Sequence, residues 1–151
     1  MTVADVPAVA GIERAGYAFP WSERVFRDCL RSGYPSWLLL DAGVPAAHLI
    51  VSMAAGEAHV LNLCVHPRCQ GRGLGRQLMA HGLDKAAEAG ARVMFLEVRP
   101  SNAAARALYA SLGFNAVGQR PDYYPTAGGG RETALVMSRA LVPFSRVADC
   151  D

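Results

Sequence analysis

The chain has 151 residues, 52% of them hydrophobic, and a net charge of +2. That length suits one domain with a core that needs no disulfides or metal, and so mild a charge lacks the dense basic face of a duplex-binding protein. Four cysteines, at 29, 64, 69 and 150, form no CxxC pair and no zinc spacing, so they read as reduced thiols of a cytoplasmic protein. The first sixteen residues lack a basic segment followed by a continuous apolar one, which gives no secretion signal. The longest apolar zone, 37–55, is broken by Asp41, Gly43, Pro45 and His48, which excludes a spanning helix there.

Asp5 as N-cap with Val6, Val9 and Ile12 at helical spacing predicts a first helix ending near Gly16. Ser22 caps a second, with Val25, Phe26, Cys29 and Leu30 as its stripe. Phe19, Pro20 and Trp21 ahead of it serve either as a hydrophobic staple or as one wall of a substrate groove. Residues 36–40 and 47–53 are strands joined at 41–44, and a third strand runs 60–65, which predicts an antiparallel meander. A helix follows from Leu74 to a stop at Gly90, then a strand at 93–98. Ser101 or Asn102 caps the next helix, which Gly113 ends. Short strands are expected at 114–117 and 133–137, flanking an irregular loop PDYYPTAGGG, and residues after Leu141 form a loose tail. A meander followed by strand–helix–strand crossovers implies an α/β (α+β) fold: one domain over 1–141, a mixed, mostly antiparallel sheet of about six strands with helices on both faces.

The stretch VLNLCVHPRCQGRGLGRQLMA, 60–80, joins a strand to a helix through glycines 71, 73 and 75. Unpaired N–H groups at such a helix start attract anions. Glycine permits positive φ and close approach of a diphosphate, and Arg68, Arg72 and Arg76 add charge. The spacing is neither that of a P-loop nor of the dinucleotide fingerprint. Taken alone, the stretch reads equally as a helix start that merely needs tight turning.

Glu97 lies inside the apolar run MFLEV, where burial marks it as a candidate general base. The alternative is a carboxylate satisfied by Arg99 or by a helix N-terminus. Tyr109 shares a helix face with Asn102 and Ala105. It is either core, with its hydroxyl tied off, or a proton donor to a leaving group. The four histidines show no metal-ligand spacing and read as structural.

FPWSE (19–23), GEAHVLNLCVHP (56–67), the glycine turn, LEVRPSNAAARALYASLGF (96–114) and YYP (123–125) closely resemble the GNAT acyltransferases, within them the RimI-type ribosomal-protein alanine N-acetyltransferases. The resemblance covers roughly residues 5–141. It implies acetyl-CoA as cosubstrate, with no metal. The backbone of Leu63, Cys64 and Val65 would hold the acetyl and pantetheine portions. Arg68, Gln70, Gly71, Arg72, Gly73, Leu74, Gly75 and Arg76 would hold the diphosphate, and Asn102 the pantetheine arm. Glu97 would be the base and Tyr109 the acid toward the CoA thiolate. The implied acceptor is the N-terminal amine of a small-subunit ribosomal protein, met by a monomer or weak dimer in the cytoplasm, with neither nucleic acid nor membrane bound directly. Chemistry agrees: at pH 7 an α-amine costs about 1.4 kcal/mol to deprotonate, against roughly 4.6 for lysine.

Three departures stand out. The family's first strand is missing or very short, the TAGGGRE loop is long and glycine-rich, and the final ten residues, 142–151, have no counterpart. A small-amine acetyltransferase would be expected to show clustered carboxylates, and these are absent. A non-catalytic acyl-CoA sensor is disfavoured by the presence of both Glu97 and Tyr109.

Overall fold

The structure, a computed structural model, describes residues 1–142. Two helices come first, α1 (Val6–Gly16) and α2 (Glu23–Arg31). Ser22 caps α2 as predicted, its hydroxyl accepting from the Val25 amide. Asp5 does not cap α1 through its side chain, and its carboxylate instead accepts from the Thr2 amide at 2.7 Å. The meander follows as β1 (Ser36–Asp41), β2 (Val44–Ala54) and β3 (Glu57–Val65). The β1–β2 turn is two residues, Ala42 and Gly43, both at positive φ, the combination that matches strand twist. Helix α3 (Leu74–Glu88), strand β4 (Val93–Val98) and helix α4 (Ala103–Ser111) lead to the hairpin β5 (Asn115–Pro125) and β6 (Arg131–Ala140).

The six strands lie in the order β1-β2-β3-β4-β6-β5, antiparallel except for β3 against β4. Alternation along β2 feeds two cores. Leu49 and Val51 pack with Met79, Leu83, Met94 and Leu96 under α3, whereas Ile50 packs with Val6, Val9 and Phe26 under α1 and α2. The helices therefore cover both faces, as expected. Among the described residues no strand precedes α1, and β1 forms the sheet edge.

Two expectations need correction. The segment 121–125, read as irregular loop, is strand: β5 accommodates Pro121 to Tyr123 as a bulge between the pairs Arg120↔Ala134 and Tyr124↔Glu132. Asp122 there takes φ +52°, so a proline and a polar residue fit without breaking the ladder. The strand expected over 114–117 is thus the start of an eleven-residue one. The tail expected at 142–151 lies, apart from Val142, outside the described residues.

Candidate active site

Strands β3 and β4 pair only at Glu57↔Val93, Ala58↔Met94 and His59↔Phe95, then part. Beyond that point β3 stays with β2 and β4 with β6, so a wedge opens between two strands of one sheet. The backbone of β3 faces the wedge at alternate residues. The Leu63 carbonyl accepts from the Tyr17 hydroxyl, and the Val65 carbonyl accepts from the Gln70 side-chain amide at 3.2 Å. In an antiparallel ladder both backbone groups of one residue point to the same edge. The N–H groups of Leu63 and Val65 therefore also face the wedge, and that of Cys64 faces β2, where it pairs with His48. Of the three residues expected to hold the acetyl and pantetheine portions, Leu63 and Val65 turn their backbone groups to the wedge and Cys64 turns its to β2.

At the mouth of the wedge the chain turns through the glycines. Gly71 and Gly73 both have φ +77°, and a Cβ added at either would meet nothing within 4 Å. The space beside both positions is open. Gly73 is the N-cap of α3, so Leu74 and the residues after it present free N–H groups there. Gly75 differs: its backbone is helical, and a Cβ would lie 3.4 Å from Leu108 and 3.5 Å from Val65. The missing side chain there lets α3 pack closely against Leu108 and Val65. The arginines are partly engaged, Arg72 with Asp41 at 2.7 Å and Arg76 with the Ser111 hydroxyl.

Glu97 sits on β4 with its side chain 5% exposed. Its Oε2 lies 2.5 Å from His59 Nε2, and Arg120 Nε stands 3.1 Å from Oε1, an ion-pair distance without hydrogen-bond alignment. The expected partner Arg99 is elsewhere: it pairs with Glu132 at 3.3 Å and stacks over Tyr124 at 4.5 Å. Hydrogen bonds from the Ser101 side chain and backbone, then Arg99, hold the Glu132 carboxyl below its usual range.

Tyr109 projects from α4, 7% exposed and edge-on to Phe114. Burial pushes its pKa up to about 12. Its hydroxyl has no hydrogen-bond partner among the described residues and is not sealed from solvent, which is unlike a core tyrosine with its hydroxyl tied off. Burial is also the leading cause that raises the pKa values of Tyr17 and Tyr124. Asn102 caps α4 by accepting from the Ala105 amide at 3.1 Å, and its NH₂ has no acceptor among the described residues. In the aromatic lead-in the two alternatives divide between residues. Trp21 staples onto Phe26, with ring centroids 5.4 Å apart, while Phe19 stays 46% exposed beside Arg99.

Behind the wedge, Glu13 of α1 is buried. It accepts from the Asn62 amide at 3.0 and 3.1 Å and from the Trp21 backbone at 3.3 Å. This latch ties α1 and the α1–α2 loop to β3. His48 Nε2 is 3.2 Å from Glu13, also unaligned for a hydrogen bond. The sequence reading passes over Arg120 and Tyr17 and takes His59 as structural. Only the register of two parallel strands places His59 beside Glu97, and residue spacing carries no trace of it.

The Acetyltransferase (GNAT) family profile matches residues 7–114. The chain is 44% identical over 134 residues to the [ribosomal protein bS18]-alanine N-acetyltransferase of Escherichia coli K12, covering 89% of this chain and 90% of that one. It is 43% identical to the Salmonella typhimurium enzyme of the same name, covering 91% and 93%. The crystal structure of the E. coli ribosomal-protein-S18-alanine N-acetyltransferase superposes with TM-score 0.87 at 42% identity, over 93% of this chain and 90% of that one. Ard1 from Thermoplasma volcanium shares the fold, with TM-score 0.83 at 23% identity and coverage of 94% and 95%. With its splayed parallel strands, glycine turn and helix start, the chain belongs to the GNAT acetyltransferase family.

Proposed function

We propose that this protein transfers the acetyl group of acetyl-CoA to the free α-amine of an N-terminal alanine, that of ribosomal protein bS18, in the cytoplasm. The observation that carries the chemistry is the splay of β3 from β4 just past His59, beside the buried Glu97 carboxylate, together with a Tyr109 hydroxyl that has no hydrogen-bond partner among the described residues. The acceptor follows from the named relatives of E. coli and Salmonella typhimurium.

The open positions at Gly71 and Gly73 and the α3 N-terminus fit a diphosphate, and the Asn102 amide fits the polar arm behind it. The N–H groups of Leu63 and Val65 stabilise the oxyanion that forms when the amine nitrogen attacks the thioester carbon. Glu97 is the carboxylate of the base that removes an amine proton through water. As the C–S bond breaks, the sulfur takes the electron pair and then the Tyr109 hydroxyl proton, and the second nitrogen proton returns to the Tyr109 oxygen. A phenol with pKa about 12 still holds that proton at neutral pH. Acetyl moves directly between the two substrates, with no acyl-enzyme. The peptide enters between the α1–α2 loop, at Tyr17 and Phe19, and the β5–β6 hairpin, at Tyr123, all exposed aromatics.

Two peptides incubated with acetyl-CoA test the reading by mass spectrometry, one with a free N-terminal alanine and one N-terminally blocked but containing lysine. One added acetyl group on the first peptide alone is expected. Acetylation of the blocked peptide, or of neither, would overturn it.

A further inference from the structure

We propose that the base is a pair, Glu97 with His59, and that the abstracted proton comes to rest on the His59 ring. The proposal builds on the reading of Glu97 as the carboxylate of the base. An α-amine with a pKa near 8 is mainly ammonium at neutral pH. Conversion of R–NH₃⁺ and a thioester to an amide and a thiol removes two protons from nitrogen. One reaches sulfur by way of Tyr109, and the other must leave the protein in every turnover.

Glu97 is poorly placed to take that proton and pass it on alone. Its side chain is 5% exposed, and its Oε1 is closed off from solvent with the Arg120 cation 3.1 Å away. Oε2 is 2.5 Å from His59 Nε2, within hydrogen-bond reach. His59 is the solvent-facing member, with 31% of its side chain exposed. Its Nδ1 has no hydrogen-bond partner among the described residues and is not sealed. The carboxylate therefore holds the ring with its Nε2 proton toward Oε2 and its Nδ1 lone pair free. The amine proton passes through water to Nδ1, the imidazolium is stabilised by Glu97, and the proton leaves from Nδ1 to solvent. This is the division of labour between carboxylate and imidazole in a catalytic triad. The other charged or titratable groups about the pair are Arg120, Tyr123 and Tyr124 of β5, the two tyrosines sensing the Glu97 charge. His59 lies at the last paired residue of β3 before the wedge, where the pair meets the incoming amine.

The test is the pH dependence of His59→Gln, whose amide can still donate to Glu97 but cannot take a proton. At pH 7 its kcat should fall about 100-fold, with the KM for acetyl-CoA and the melting temperature unchanged. The defect should narrow as pH rises through about 8, because the amine then arrives with one proton fewer. If His59→Gln instead melts low, His59→Ala should regain turnover with added imidazole, and failure to do so overturns the proposal. It is equally overturned if His59→Gln matches the unaltered protein, or if its defect is the same at every pH, as a purely structural role would give. Glu97→Gln separates the two layers. Full activity of that variant would sink the carboxylate reading itself, whereas loss with Glu97→Gln and none with His59→Gln would sink only the role of His59.

Discussion

Replacing Gly73 with alanine separates ligand approach from folding. The residue is the N-cap of α3 at φ +77°, and its Cβ would meet no protein atom within 4 Å. The folded protein therefore loses only the backbone preference, about 1–2 kcal/mol for a left-handed non-glycine residue. For a chain of this length that is a fall of roughly 2–8 °C in Tm. If the open space admits the diphosphate, the methyl group blocks at least one backbone N–H contact to an anion. Such a contact is worth about 1.5–3 kcal/mol, which is roughly a 10- to 100-fold rise in the KM for acetyl-CoA. Turnover at saturation should change little, since Glu97, His59 and Tyr109 are untouched. Gly90 supplies the control. It has φ +91° and equally empty surroundings, but it follows the far end of α3, so Gly90→Ala should lower Tm by a similar amount and leave KM unaltered. The assay is thiol release against acetyl-CoA concentration, beside thermal melting of both variants. Equal KM values for Gly73→Ala and Gly90→Ala would refute the assignment of this turn to the diphosphate.

Tyr109→Phe keeps the edge contact with Phe114 and removes a hydroxyl that no protein group engages among the described residues. Stability should stay within about 0.5 kcal/mol, while kcat at saturating acetyl-CoA drops about 100-fold. Asn62→Ala takes away both amide contacts to the buried Glu13 carboxylate and should cost about 1–3 kcal/mol in chemical denaturation. Burial, then the nearby Glu13 charge, pushes the Cys64 thiol up to about 12. At pH 8 its thiolate fraction is then about 1 in 10,000, so iodoacetamide should modify the part-exposed Cys69 in the folded protein and reach Cys64 only after denaturation.

The sequence made the elements readable where periodicity, caps and glycine stops agree. Ser22, Asn102 and the glycine at 113 each act where their chemistry says they should. Glu97 and Tyr109 were singled out by local chemistry, one as a carboxylate in an apolar strand and one as a hydroxyl on a helical core face. Their surroundings were hidden because they are set by register. His59 reaches Glu97 across 38 residues, and Arg120 arrives from the far hairpin strand. The hairpin itself was misread for a related reason. A proline and a polar cluster mark a loop unless a partner strand tolerates a bulge, and that depends on β6 rather than on residues 121–125.

The wedge has a local cause that composition also conceals. Between Ile50↔Asn62 and Val51↔Val60 the β2–β3 register slips, so Leu61 is an extra residue on β3. A bulge bends and twists the strand that carries it. It also exchanges faces: Ala58 and Val60 belong to the α3 core, and after the slip it is Leu63 and Val65 that pack there. Asn62 and Cys64 are thereby turned toward α1, where Asn62 meets Glu13. One inserted residue thus accounts for two requirements of the site. It steers β3 away from β4 just past His59, and it aims Asn62 at the latch that holds the α1–α2 loop. Without the slip, regular alternation would turn Asn62 and Cys64 into the apolar α3 core and leave Glu13 buried without its amide donor, a cost on the scale already given for Asn62→Ala. The pattern VLNLCV folds as it does because the two polar side chains have a partner only on the α1 face.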